Sequence, residues 1–254
     1  RRAGPEAYGA KGADLITGIE ISLEEAFSGL TRPIQVTHEI PCQACQGTGA
    51  QAYETCKKCK GTGRIETSRG FFRMQQPCPE CNGTGKKITK VCKVCGGTGK
   101  TITTETVKVK IGAGVDSGSR MRVKGKGNAG WAGGPPGDLY IEISVRPHPV
   151  FKRVENDLYV DVPITFGEAA LGARIEVPTI DGVAVMTIPQ GTQGGQRFKL
   201  TGKGFPSPGG AGRGNQYVTA KLVVPKDITS KGREAIKEIE ALYKDNPRKG
   251  LLNR

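Results

Sequence analysis

The sequence predicts a mainly β protein: two tandem, similar β-sandwich-like domains, a Cys-rich zinc module inserted in the first, and a C-terminal helix. Three observations carry this reading. Apolar residues recur at a spacing of two in short runs bounded by Gly and Pro, the period of half-buried strands. Groups of residues recur at fixed displacements along the chain. All eight cysteines fall in four copies of one phrase between residues 42 and 99.

The elements follow in order. Residues 1–13, rich in Gly, Pro and Ala, read as a linker stub. Leu15, Thr17, Ile19 and Ile21 alternate as a strand. Ser22-Leu-Glu-Glu25 is a capping box opening a short helix through Ala26 and Phe27, and Gly29 ends it, with the left-handed conformation expected there. Ile34 and Val36, continuing toward His38 and Ile40, form the strand that enters the cysteine stretch. Beyond that stretch Val107, Val109 and Ile111 make a strand, Gly112 to Ser119 a turn, and Met121 and Val123 another strand. A Gly-rich loop from Lys124 to Gly137 holds the only tryptophan, Trp131, and Leu139, Ile141, Ile143 and Val145 follow as a strand.

The plan then repeats. Ile111, Gly114, Gly118, Arg120, Val123, Gly125, Lys126 and Gly127 recur, each displaced by 77, as Ile188, Gly191, Gly195, Arg197, Leu200, Gly202, Lys203 and Gly204. Ile21, Leu23, Glu25, Ala26 and Gly29 recur as Ile164, Phe166, Glu168, Ala169 and Gly172, displaced by 143. The two displacements differ by 66 residues, so the first copy carries an insertion of that length, and the insertion is the cysteine stretch. The domains expected are 14–146, with the zinc module at 40–104, and 147–226, followed by a C-terminal helical segment at 227–254. In that last segment Thr229 or Ser230 caps the helix, Ile236, Ile239, Leu242 and Tyr243 form an apolar stripe, and Asn246-Pro247 stops it. The stripe suits packing on its own domain and packing on a second chain equally.

Each cysteine phrase has the form Cys-x-x-Cys-x-Gly-x-Gly: Cys42/Cys45, Cys56/Cys59, Cys78/Cys81 and Cys92/Cys95. A disulfide framework needs an oxidising compartment, to which nothing here directs the chain. A thioredoxin-like site has one such pair at a helix start, not four among strands and turns. Structural zinc needs four thiolates per ion, presented in pairs by tight turns, and that is what the phrase supplies. Two zinc ions per chain are expected, each in a closed Cys₄ shell with no open position for catalysis. The linkers between successive pairs have 10, 18 and 10 residues. That symmetry suits a nested hairpin, and spacing alone leaves the sequential arrangement open.

The formal charge of +14 raises nucleic acid as a partner. The cations are spread along the chain without interleaved aromatics, so a basic soluble surface is the preferred reading and nucleic acid is not an expected partner. No apolar run is long enough to cross a membrane. The chain opens Arg1-Arg-Ala-Gly4, without Met or an apolar leader, which reads as an excised piece of a larger cytoplasmic protein. Neither His38, at a strand entering the cysteine stretch, nor His148, between prolines, lies near a credible nucleophile or acid in sequence, and no other catalytic constellation is found.

Four Cys-x-x-Cys-x-Gly-x-Gly phrases set in the first of two duplicated β domains, with Ile21-Ser-Leu-Glu-Glu25 and Gly137-Asp-Leu-Tyr140, resemble the zinc-containing class of DnaJ co-chaperones. The resemblance covers essentially the whole chain. It implies that the chain binds unfolded polypeptide, that the zinc module aids transfer of this client to a DnaK-type ATPase chaperone, and that the C-terminal end forms a homodimer. It also implies nested ligation, with Cys42, Cys45, Cys92 and Cys95 at one zinc and Cys56, Cys59, Cys78 and Cys81 at the other. A client groove is implied at Leu15, Ile34, Val36, Val107 and Ile141, positions that read by themselves equally well as core on neighbouring strands. The family's J domain carries a His-Pro-Asp motif, and this chain has only His148-Pro-Val150. The 254 residues are therefore expected to hold clients without stimulating ATP hydrolysis. Two other readings compete: a thiol–disulfide isomerase using the Cys-x-x-Cys pairs, and a nucleic-acid-binding zinc protein.

Overall fold

The computed structural model describes residues 9–69, 72–131, 133–207, 212–244 and 246–248, with side chains 67–74 left aside. Most of the linker stub, residues 1–8, and the end of the C-terminal segment, 249–254, lie outside these. The chain forms two compact units, residues 1–149 with 205–212, and 150–204 with 213–254.

The first unit begins with β1 (Leu15–Ile21), α1 (Leu23–Ser28) and β2 (Leu30–Pro41). It continues through β3 (Ala50–Thr55), β4 (Arg64–Arg69), β5 (Phe72–Pro77) and β6 (Lys86–Val91), and closes with β7 (Lys100–Ile111), β8 (Arg120–Val123) and β9 (Leu139–Val145). The second contains β10 (Lys152–Val154), β11 (Asp157–Thr165), α2 (Phe166–Leu171), β12 (Ala173–Thr179), β13 (Gly182–Ile188), β14 (Arg197–Leu200), β15 (Gln216–Val223) and α3 (Ser230–Glu240).

The duplication holds down to strand register. β1 runs parallel to β9 with Leu15 opposite Leu139, and β8 pairs antiparallel to β9 with Arg120 opposite Glu142. In the second unit β11 runs parallel to β15 with Leu158 opposite Gln216, and β14 pairs with Arg197 opposite Thr219. The β1/β9 pair is shifted to β11/β15 by 143 on one strand and 77 on the other, and the β8/β9 pair to β14/β15 by 77 on both. Both capping boxes are formed, Ser22 with Glu25 and Thr165 with Glu168. The glycines that end α1 and α2 differ from expectation. Gly29 has φ 74° and ψ 159°, an extended mirror-image conformation open essentially to glycine alone rather than the left-handed helical one.

The site of the insertion follows from the same registers. β2 and β7 pair with Leu30 opposite Ile111, and β12 and β13 with Ala173 opposite Ile188. The second hairpin closes after Thr179 opposite Gly182, across residues 180 and 181. The equivalent pair in the first is Val36 opposite Glu105, and there residues 37–104 stand where two suffice. β2 and β7 simply run on to Pro41 opposite Lys100. A hairpin tip is where added chain disturbs pairing least.

Beyond that point the insertion is a single antiparallel ribbon. β3 pairs with β6 and β4 with β5, and a cysteine turn sits on each strand between successive ladders. The side chains of β3 and β6 are mostly exposed. The core of the first unit lies instead under β1, β7 and β9, where Ile21, Ile111, Leu139, Ile141 and Ile143 are almost wholly buried. The second core repeats this with Leu158, Ile164, Ile188 and Val218.

The last helix departs from its sequence pattern. Thr229 caps it through the Gly232 amide, but it ends at Glu240, so Leu242 and Tyr243 lie past its end and Asn246-Pro247 is not its stop. No residue of α3 is buried. No helix among the described residues is long and apolar enough to cross a membrane.

Candidate metal centres and binding edge

Each cysteine phrase folds into the same turn. The backbone after the second cysteine enters positive φ, at 51° for Gln46, 52° for Lys60, 47° for Asn82 and 61° for Gly96. This curls the chain so that the amide of the last glycine points back at sulfur. Gly49 N–H donates to Cys45 Sγ at 3.2 Å, Gly63 to Cys59 at 3.3 Å, Gly85 to Cys81 at 3.2 Å and Gly99 to Cys95 at 3.3 Å. The threonine of each phrase donates to the carbonyl of its second cysteine, as Thr48 does to Cys45 at 2.7 Å.

The turns then lock in nested pairs. Cys42 N–H donates to Gly99 O and Cys92 N–H to Gly49 O, while Cys56 donates to Gly85 O and Cys78 to Gly63 O. Glycine is required where the backbones meet, because a Cβ on Gly49 would lie 2.3 Å from Gly97 O and one on Gly63 2.3 Å from Gly83 O. The outer pair gathers Cys42, Cys45, Cys92 and Cys95, and the inner pair Cys56, Cys59, Cys78 and Cys81, with the sulfurs of each set within 4.8 Å of one another. The linker symmetry thus corresponds to nesting, and the sequential arrangement is not formed.

The donor sets fit zinc. Four sulfurs about 2.3 Å from a central ion form a tetrahedron with edges of about 3.8 Å. Here Cys45 and Cys95 are 3.7 Å apart, Cys56 and Cys78 3.8 Å, and Cys59 and Cys81 3.7 Å. All eight cysteines are free of disulfides, and seven are buried. Burial pushes the Cys42 thiol up, to about 11. At Cys59 and Cys95 the inward glycine amides and neighbouring sulfurs outweigh burial and hold the thiols down, to about 7 and about 6. Low-lying thiols under converging amides are the electrostatic condition for binding a dication through thiolates.

The five expected groove residues divide. Ile141 is fully buried, Val36 and Val107 nearly so, and only Leu15 and Ile34 remain half-buried. Ile34 faces Val107 across β2 and β7. Among the described residues β1 has no strand on its side away from β9, and β2 none away from β7. The second unit differs: β10 pairs with β11 along Leu158 and Tyr159, and Leu158 and Val177, the counterparts of Leu15 and Ile34, are both wholly buried.

The root of the ribbon carries polar contacts that sequence spacing did not reveal. His38 is buried, with Nδ1 2.9 Å from Gly127 O and Nε2 3.1 Å from Glu105 Oε1, off the line a hydrogen bond needs. Lys126 Nζ donates to the other Glu105 oxygen at 2.8 Å. This cluster ties the Gly-rich loop to β2 and β7. Its only sequence signal is the repeated Gly-Lys-Gly at 125–127 and 202–204.

Residues 15–225 match the family described as the DnaJ C terminal domain. The chain belongs to the DnaJ family. It is 47% identical over 248 residues to Chaperone protein DnaJ 2 of Aquifex aeolicus (strain VF5), an alignment covering 96% of this chain. The chain spans 66% of the length of that DnaJ relative. The name of that Aquifex relative describes a chaperone.

Proposed function

We propose that this DnaJ chain binds non-native polypeptide in extended form at the edge of its first β domain and presents it to a DnaK-type ATPase chaperone. The observation that carries this is the difference between the two copies. Where β10 covers β11 in the second copy, the first leaves the edge of β1 unpaired, and Leu15 and Ile34 are half-open where Leu158 and Val177 are sealed. An unpaired edge offers a ladder of amides and carbonyls to an extended chain, and flanking apolar residues take alternate side chains. Leu15 and Ile34 would make that contact, with Val36, Val107 and Ile141 forming its floor.

In the same reading Cys42, Cys45, Cys92 and Cys95 hold one zinc ion and Cys56, Cys59, Cys78 and Cys81 the other. Their role is structural, since the ribbon buries too few side chains to hold itself. The module at 40–104 then aids transfer of the client. The segment 227–254 is assigned to homodimerisation, because Ile236, Leu242 and Tyr243 are exposed, and Ile236 and Tyr243 border an apolar cavity of about 810 Å³ beside Phe166 and Val224. A cytoplasmic setting suits eight reduced thiols.

Suppression of aggregation of a denatured client by the purified chain tests the reading. Ile34→Ser should abolish most of the suppression while leaving zinc content and mass unchanged in native mass spectrometry. Equal suppression by the variant and the parent would remove the edge from the account. A native mass without two zinc ions per chain, or thiols freely titratable before chelation, would overturn the zinc assignment and favour the isomerase.

A further inference from the structure

Away from the β1 and β2 edges, the first unit holds a second apolar recess. A cavity of about 330 Å³ opens where the outer cysteine pair meets the Gly-rich loop. Trp131 forms one wall, Tyr53 and Ile88 the other, and Lys86 stands at its rim. These are large side chains left open to water, Trp131 at 49%, Tyr53 at 48% and Ile88 at 46%. A monomer that exposes an aromatic pair and an isoleucine around one recess has left them there for something to cover.

The recess is held in shape from both sides. Tyr53 and Ile88 are opposite each other in the β3–β6 ladder, so their side chains rise from one face. Trp131 sits on a loop fastened by its own backbone: its N–H donates to Ala10 O at 2.9 Å and its carbonyl accepts from Gly134 at 3.0 Å. Rigid aromatic anchors lose little entropy on binding, which is why they dominate recognition surfaces. The volume is at the small end for ligand sites and suits one or two large side chains rather than a cofactor.

Charge decides the occupant. Lys86 is the only ionisable group with a full charge among the lining residues, and its Nζ lies 4.0 Å over the Tyr53 ring. Residues 42–99 hold ten Lys and Arg against three Glu, an excess that survives the charge of about −2 carried by each zinc–thiolate cluster. The geometry points to a second polypeptide-binding subsite here, which takes an aromatic or large aliphatic side chain flanked by acidic residues in an extended segment of another protein. It rests on the polypeptide-binding reading above but uses none of the same residues.

Trp131 is the only tryptophan in the chain, so it reports on its own recess. The zinc-loaded protein is titrated with a synthetic peptide alternating Phe and Asp, and with a copy carrying Lys in place of Asp. The acidic peptide should shift Trp131 emission saturably, and Lys86→Glu or Tyr53→Ala should each weaken that binding at least about fivefold. Ile34→Ser should leave the signal intact while lowering client suppression. An equal response to the Lys peptide, or no response with client suppression preserved, overturns the subsite and leaves the edge reading standing. Emission that changes with protein concentration alone would make the recess a contact between copies of this chain, and also overturns the proposal. Loss of both the emission response and client suppression in the parent protein would remove the polypeptide-binding reading together with the subsite.

Discussion

The two β copies share strand registers residue for residue and differ at their margins. In the first, β1 is an edge strand and Leu15 is half-buried; in the second, β10 lies along β11 and Leu158 is sealed. In the first, the β2–β7 hairpin runs on into the zinc ribbon; in the second, the same hairpin turns after Thr179. One scaffold has thus been given two uses by changes confined to an edge and a turn. The conserved register maintains the core, and the differences create the surfaces.

The largest test removes metal. Structural zinc in small thiolate modules contributes apparent binding energies of about 10–16 kcal/mol, which in such a ribbon is its folding energy. Chelation should unfold residues 42–99 and leave the second unit intact. Limited proteolysis should then cut within the ribbon while a fragment beginning near Val150 persists. Concerted loss of both units would show that the ribbon is not an autonomous addition to the first.

Leu158→Ala against Leu15→Ala separates core from edge. Truncating wholly buried Leu158 should cost about 2–5 kcal/mol in denaturant unfolding, with cavity formation as the cause. Half-buried Leu15 should cost less than half as much but lower client affinity, which Leu158→Ala should do only through unfolding. A reversed order would place the exposed surface on the second copy.

Gly114 and Gly191 occupy the same repeat position, with φ 83° and 78°. A Cβ on Gly114 would meet Pro206 O at 2.4 Å, whereas Gly191 has open space around it. Gly191→Ala should cost about 1 kcal/mol for its backbone alone, and Gly114→Ala about 2–4 kcal/mol because the clash adds to it. Thermal unfolding of the two variants makes the comparison.

The smallest effect is a pH difference. Asp138 Oδ1 accepts from the Gly125 amide at 2.8 Å, and the second copy makes the same bond with neutral Asn215, from Gly202 at 3.3 Å. That amide, together with Lys11 and Arg122 and against some desolvation, holds the Asp138 carboxyl below its ordinary 3.8. Its contribution is present above the unfolded value and disappears as pH falls through the depressed folded one. Amide exchange at Gly125 should accelerate in that acid range while Gly202 does not follow, and Asp138→Asn should abolish the difference.

Much of this was legible in the chain because repetition is visible without knowing contacts. The displacements of 77 and 143 located the insertion, and both helices announced themselves through Ser22/Glu25 and Thr165/Glu168. What escaped was short or non-local. β10 is only three residues long, and its one signal is the tight turn at Glu155, φ 54°, before Asn156. β3 and β6 lack period-two apolarity because neither face is buried, so Tyr53, Ile88 and Trp131 gave no hint that they converge. The full burial of Ile141 likewise depends on what packs over it.

Nesting also implies an order of assembly. The inner cysteines Cys56 and Cys78 are 22 residues apart, while Cys45 and Cys95, of the outer set, are 50 apart. Closing the longer loop first costs roughly 0.7 kcal/mol more in chain entropy. Once the inner set is closed, the outer one needs only the ten-residue spans on either side to zip together. Metal uptake should therefore begin at the distal cluster and run back toward the β domain, and release should run the other way.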